Sequence, residues 1–123
     1  MMRNGGRARV NVCETGFNGG HSAMLFMSLA PHDVDVYYYG WDLGEVSAAR
    51  PTADKMREKY ADKFTITWGD SHQTLLNVEQ ILDGHLCDLI VIDGDHSKLG
   101  VVDDLTNLLR VAKSNATVFG DDW

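Results

Sequence analysis

Asp88-Leu89-Ile90-Val91-Ile92 is a nearly continuous apolar run of strand length. A strand that lies half in water alternates apolar and polar residues. One without alternation needs cover on both faces, as a central strand of a parallel sheet has from helices above and below it. The rest of the chain fits that demand, because strand-like and helix-like segments take turns along it. Strands are predicted at about 9–13, 34–41 (ending at Asp42), 64–68, 88–92 and 116–119. Helices are predicted at about 20–29, 53–60 (with Thr52 as cap), 73–82 and 99–112. The expected fold class is therefore α/β with a mainly parallel sheet of about five strands. In helix 20–29 the nearly all-apolar surface of Ala23, Met24, Leu25, Phe26, Met27 and Leu29 predicts deep burial. Helix 99–112 is expected to bury Val101, Val102, Leu105, Leu108, Leu109 and Val111.

Length and charge bound the function classes. With 123 residues the chain is read as a single domain covering 1–123, short for a complete nucleotide-binding enzyme. A net charge of −7 without any Lys- or Arg-rich run argues against a nucleic-acid partner held through phosphates. No apolar run approaches the roughly 20 residues of a membrane span. Cys13 and Cys87 both lie at or beside apolar strands. They are expected to be buried free thiols in a reducing, cytoplasmic setting.

The segment Val10-Asn11-Val12-Cys13-Glu14-Thr15-Gly16-Phe17-Asn18-Gly19-Gly20-His21-Ser22 reads as strand, glycine-rich turn and helix start. Glycine in such a turn permits positive φ and close approach of backbone to a ligand. Two phosphate-binding patterns fail here. The dinucleotide fingerprint needs a second glycine where Asn18 stands, which disfavours a nicotinamide oxidoreductase. The phosphate-loop pattern needs a Lys after its last glycine, and no Lys precedes Lys55. A carboxylate at the turn, Glu14, would repel a pyrophosphate and favours a ligand with a cationic part.

Every predicted strand finishes in acid: Glu14, Asp42, the Gly69-Asp70-Ser71 turn, Asp93 and the Gly120-Asp121-Asp122 turn. In a parallel sheet these ends share one rim, where such folds bind ligands. Clustered carboxylates repel and raise one another's pKa unless a cation or hydrogen-bond donors lie among them. Asp42 follows Gly20 by 22 residues, the placement at which an acid accepts hydrogen bonds from ribose hydroxyls. Asp70 serves equally well as a simple helix N-cap. His21, His32, His72 and His85 read as solvent-facing or structural, and Asp95, Asp103 and Asp104 as a cap and a solvated helix face. Tyr37, Tyr38, Tyr39 and Trp41 read as strand packing, with Trp41 beside Asp42 also placed to border an adenosine.

Glu14, Gly16, Gly20 and Ser22, spaced E-x-G-x-x-x-G-x-S, resemble the first motif of class I S-adenosylmethionine-dependent methyltransferases. Asp88 to Ser97, Gly100, Asp103-Asp104-Leu105 and Phe119 to Asp122 resemble one branch of that family more closely. That branch is methyltransferase family 24 with the macrocin-type O-methyltransferases. The resemblance runs from about Val10 to Asp122. It implies a Rossmann-like doubly wound sheet ordered 3-2-1-4-5, lacking the last two strands of the full class I fold.

It further implies cofactor binding by Glu14, Gly16, Phe17, Gly20, His21 and Ser22 at the first turn. Asp42, Leu43, Asp70, Ser71 and Asp93 would complete that set. Asp93, Asp121 and Asp122 would bind a divalent metal, Mg²⁺ by the hardness of the oxygen ligands. His96, three residues after Asp93, would be the general base. The implied partner is a small hydroxylated acceptor molecule, with a homo-oligomer left open. The alternative is a non-catalytic nucleotide- or metal-binding remnant of the fold, on which the shortness of the chain bears.

Overall fold

A computed structural model describes residues 3–4, 7–93 and 98–120. Its elements, in chain order, are β1 (Arg3–Asn4), β2 (Arg7–Thr15), α1 (His21–Ser28), β3 (Val34–Asp42), α2 (Ala49–Tyr60) and β4 (Phe64–Trp68), then α3 (Ser71–Thr74), α4 (Val78–Leu82), β5 (Cys87–Ile92), α5 (Lys98–Leu109) and β6 (Ala112–Gly120). Single 3₁₀ turns occupy Ala61–Lys63 and Leu75–Asn77.

Five strands run parallel in the order β4-β3-β2-β5-β6. Numbered among themselves, they follow the expected 3-2-1-4-5. The short β1 joins as an antiparallel partner of β2 through Arg3↔Ala8 and Asn4↔Arg7. It can do so because β5 first meets β2 at Val12↔Leu89, which leaves that side of β2 open below Val12.

Each face of the sheet carries its own core. On one side Val12 and Tyr38 pack with Ala23 and Met27 of α1 and Ala49, Ala53 and Met56 of α2. On the other, Cys13, Trp41, Ile90 and Ile92 pack with Leu75, Val78, Leu82 and Leu108 from the α3–α5 layer. The pleat explains the sorting: even-numbered positions of β2 face α1 and α2, and odd-numbered ones face α3 to α5.

The structure corrects several expectations. Cys13 and Cys87 are not free thiols; they form a disulfide between neighbouring strands, with Cα atoms 6.0 Å apart and both residues fully buried. The cytoplasmic expectation rested on free thiols and loses that support. Helix α1 buries only Ala23 and Met27, one turn apart, while Met24, Leu25 and Leu29 are exposed. Apolar residues all round a helix cannot say which of them the neighbouring layer will reach.

Thr52 does not cap α2, which begins earlier at Ala49 with Ala48 at the N-cap position. The predicted helix 73–82 breaks into α3, a 3₁₀ turn and α4, with Asn77 leaving helical angles at φ −107°, ψ 26°. In α5 the buried positions are Gly100, Asp104 and Leu108, spaced four apart, whereas Val102 and Leu109 face outward. Among the described residues no helix is long and apolar enough to cross a membrane.

Candidate functional site

The carboxyl ends of β2, β3 and β4 surround a cleft of about 440 Å³. β2 supplies Thr15 and the following Gly16 and Asn18; β3 supplies Trp41, Asp42 and the following Leu43, Glu45 and Val46. β4 is followed by Gly69, Asp70, Ser71 and His72. The cleft abuts the point where strand order reverses between β2 and β5, the usual ligand position in an open parallel sheet.

The glycine-rich turn is built by backbone conformation. Gly16 has φ 88° and donates its N–H to Trp41 O at 2.8 Å. Gly20, at the start of α1, has φ 86°, and a Cβ there would lie 2.7 Å from Thr52 Cγ2 and 2.8 Å from Phe17 Cζ. Asn18 also takes the left-handed region, at φ 54°. Asn tolerates that conformation better than most residues, so Asn18 supplies the backbone shape its lettered position seemed to lack.

Asp42 fastens this turn to the next loop. Its Oδ2 accepts the Asn18 N–H at 2.8 Å and its Oδ1 the Gly44 N–H at 2.6 Å. A carboxylate has about four acceptor sites, so further capacity remains toward the cleft. Asp70 caps α3 by accepting the His72 N–H at 3.0 Å, and it lines the cleft as well.

Glu14 is placed differently from the sequence expectation. It does not stand at the mouth of the turn; it is fully buried on the α1–α2 face of the sheet, and Tyr38 donates to its Oε1 at 2.6 Å. Among the described residues its Oε2 has no hydrogen-bond partner. Burial pushes its pKa up to about 7. The Tyr38 hydrogen bond opposes that shift, the charges of Asp93 and Asp42 add to it, and the Ser22 hydroxyl opposes it. Burial and the Glu14 charge in turn push Tyr38 well above the usual phenol range. Phe17, expected to touch a cofactor, is buried among Tyr38, Phe64 and Trp68 instead. His21 is exposed and, like Gly20, Ser22 and Asp93, does not line the cleft.

Among the expected cofactor residues, the cleft therefore gathers Gly16, Asp42, Leu43, Asp70 and Ser71. It adds Thr15, Glu45, Val46 and His72, which were not foreseen there, and Trp41 lines it as well. Thr15 Oγ1 and Trp41 Nε1 are buried, and among the described residues neither has a hydrogen-bond partner. Trp41 was legible from its place next to Asp42; His72 carried no signal beyond following a strand-end turn.

Asp104 was misread as solvated. It is fully buried and accepts the Ser71 hydroxyl at 2.7 Å, and its spacing between Gly100 and Leu108 is the signal that places it inward. Asp93 donates its backbone N–H to Thr15 O at 2.9 Å, which continues the β2–β5 pairing past Ile92. Asp95, His96, Asp121 and Asp122 lie outside the described residues. Among the described residues no group of three His, Cys, Asp or Glu could hold a metal.

Sequence comparison decides the family. The profile of methyltransferase family 24, described as a methyltransferase domain, matches residues 13–123. The chain belongs to this methyltransferase family. Among the curated proteins none matches it. A SAM-dependent methyltransferase from Thiobacillus denitrificans, solved with S-adenosyl-L-homocysteine, superposes on this methyltransferase domain with a TM-score of 0.61 at 14% identity. The calicheamicin methyltransferase CalS11 superposes with a TM-score of 0.68 at 12% identity. At these identities the likeness is one of fold. The matches cover 93% and 92% of this chain but 42% and 57% of the two solved chains. This domain thus spans about half the length of those proteins.

Proposed function

We propose that this domain binds S-adenosylmethionine in the cleft over β2, β3 and β4 and serves an O-methyltransferase acting on a small hydroxylated molecule. The observation that carries the reading is the charge of the lining: among the described residues, Asp42, Glu45 and Asp70 contribute carboxylates to it and no Lys or Arg does. A pyrophosphate or phosphate ester would be repelled there. A ligand with donor hydroxyls and a cationic centre would be welcomed. A cleft of about 440 Å³ suits a molecule of nucleoside size.

S-adenosylmethionine, when bound, supplies an electrophilic methyl group on a sulfonium. The protein's part is to hold and align. Asp42, already fixed by the Asn18 and Gly44 amides, offers its remaining acceptor sites to vicinal hydroxyls. Gly16 and Asn18 present backbone at close range. Alignment of an acceptor oxygen with the methyl carbon would supply much of the rate.

Metal assistance through Asp93, Asp121 and Asp122, and proton removal by His96, complete the proposal on the acceptor side. Their support is the family pattern and the position of Asp93 at the end of β5. A carboxylate triad suits Mg²⁺, and imidazole suits proton removal near neutral pH.

Calorimetric titration with S-adenosylmethionine and S-adenosyl-L-homocysteine tests the cleft. Saturable binding to the folded protein is expected, and no heat from either ligand would end the cofactor reading. Binding of both without transfer to any hydroxylated acceptor would favour a non-catalytic remnant. Mg²⁺ should raise the melting temperature saturably; a metal-independent curve would remove the metal.

A further inference from the structure

Resting on the reading of the cleft as a cofactor site, we infer that Asp104 is a positioning residue, acting through Ser71. Asp104 sits in the middle of α5 and is fully buried. It approaches the cleft from behind α3, where Ser71 Oγ donates to its Oδ1 at 2.7 Å. Ser71 is the first residue of α3 and lines the cleft. A second approach lies beside it: His72, which follows Ser71 and also lines the cleft, has its Nδ1 3.5 Å from Oδ2 of Asp103, the residue before Asp104. Helix α5 therefore holds Ser71 directly and lies against His72, the two residues of α3 that line the cleft.

Two physical arguments give the grip a purpose. First, α3 has four residues, too few to hold a helix by itself, so its geometry must come from tertiary partners. Second, position 104 shares its helix face with Leu108, which belongs to the buried core. An apolar residue there would pack without the desolvation that a carboxylate suffers. The carboxylate therefore does something that packing alone does not require.

Its effect on Ser71 is chemical. Ser71 Oγ donates to Asp104 Oδ1, so the single hydroxyl proton of Ser71 is committed to that bond. The Ser71 oxygen then faces the cleft as an acceptor, ready for an N–H or O–H of the ligand. Asp104 sets both where that oxygen lies and which polarity it presents.

Four variants, Ser71→Ala, Asp104→Leu, Asp104→Asn and the double Ser71→Ala/Asp104→Leu, should be titrated with S-adenosyl-L-homocysteine and melted in parallel. Asp104→Leu is expected to melt no lower than the wild type yet to bind about tenfold more weakly. Ser71→Ala should lose a similar factor, and the double variant no more than either single one, since both remove the same contact. Asp104→Asn keeps an acceptor oxygen and should recover to within about threefold of the wild type.

Undiminished affinity in Asp104→Leu would overturn the positioning role, as would losses that add in the double variant. Parallel loss of melting temperature and affinity in both Asp104 variants would reduce Asp104 to a structural residue and also overturn it. A wild-type protein that does not bind the ligand fails at the earlier step, the cofactor reading, and takes this inference with it.

Discussion

Tyr38 donates its hydroxyl to Glu14 Oε1 at 2.6 Å inside the sheet, beneath the glycine turn and away from solvent. The pair joins β2 to β3 one layer below the cleft and makes Glu14 a buried acid of the fold. Its pKa of about 7, against an ordinary 4.5, means that the folded state holds the proton more tightly than the unfolded chain. Below about pH 4.5 both states are protonated, and between 4.5 and 7 only the folded one is. The contribution of Glu14 to stability therefore falls as pH rises through that window and is level above it.

Glu14→Gln should abolish this slope while keeping an acceptor for Tyr38. The difference in unfolding free energy between variant and wild type should grow by about 3 kcal/mol from pH 4 to pH 8, in favour of the variant at high pH. Urea unfolding at several pH values measures it. A difference independent of pH would mean that Glu14 titrates as an ordinary carboxylate.

Gly20→Ala and Gly19→Ala should separate sharply. Alanine at position 20 must adopt φ 86° and meet Thr52 Cγ2 and Phe17 Cζ at under 3 Å, where α1 and α2 come together. A loss of about 2–4 kcal/mol is expected. At Gly19 nothing lies within 4 Å of an added Cβ, and its φ is not in the left-handed region. That variant should stay within about 0.5 kcal/mol of the wild type. Equal losses at both positions would show that the turn is set by something other than Gly20.

The Cys13–Cys87 bridge closes a span of 74 residues, and both residues are fully buried. Replacing both by Ala should lower the unfolding free energy by about 4 kcal/mol in the chain-entropy picture. Native protein in dithiothreitol should keep its disulfide until urea opens the sheet. Thiol titration that finds two free cysteines in oxidised, folded protein would restore the free-thiol reading.

Asp42→Ala removes the shared acceptor of the Asn18 and Gly44 amides, so two loops lose their tie at once. Stability should fall by about 1–3 kcal/mol, and affinity for S-adenosyl-L-homocysteine should fall by a comparable amount. Asp35→Ala serves as a control. It loses part-buried ion pairs with Arg7 and Lys63 at the opposite end of β3 and should leave ligand affinity untouched. A loss of affinity shared by both variants would reflect the sheet, not the cleft.

Alternation along the chain carried the architecture. The uninterrupted apolar run of β5 demands cover on two faces, and five strand patterns separated by helical ones leave few ways to provide it. The residues at the strand ends were legible for the same reason, because a parallel sheet puts every carboxyl terminus on one rim. Asp42, Asp70 and Ser71 line the cleft as that logic requires.

What the letters could not decide was the direction in which a given side chain points and what it meets. Glu14 is the penultimate residue of β2, and the pleat alone turns it under the turn toward Tyr38. Phe17 follows Gly16 yet folds back into an aromatic cluster, because positive φ at Gly16 redirects the chain. Cys13 and Cys87 meet only because β2 and β5 are neighbours across 74 residues of sequence. Asp104 reaches Ser71 through a packing of α5 on α3 that no local pattern encodes. Periodicity is a property of neighbouring residues and can be read from the chain. Long-range contact is a property of the assembled sheet, and only its tertiary packing settles which polar groups are buried together.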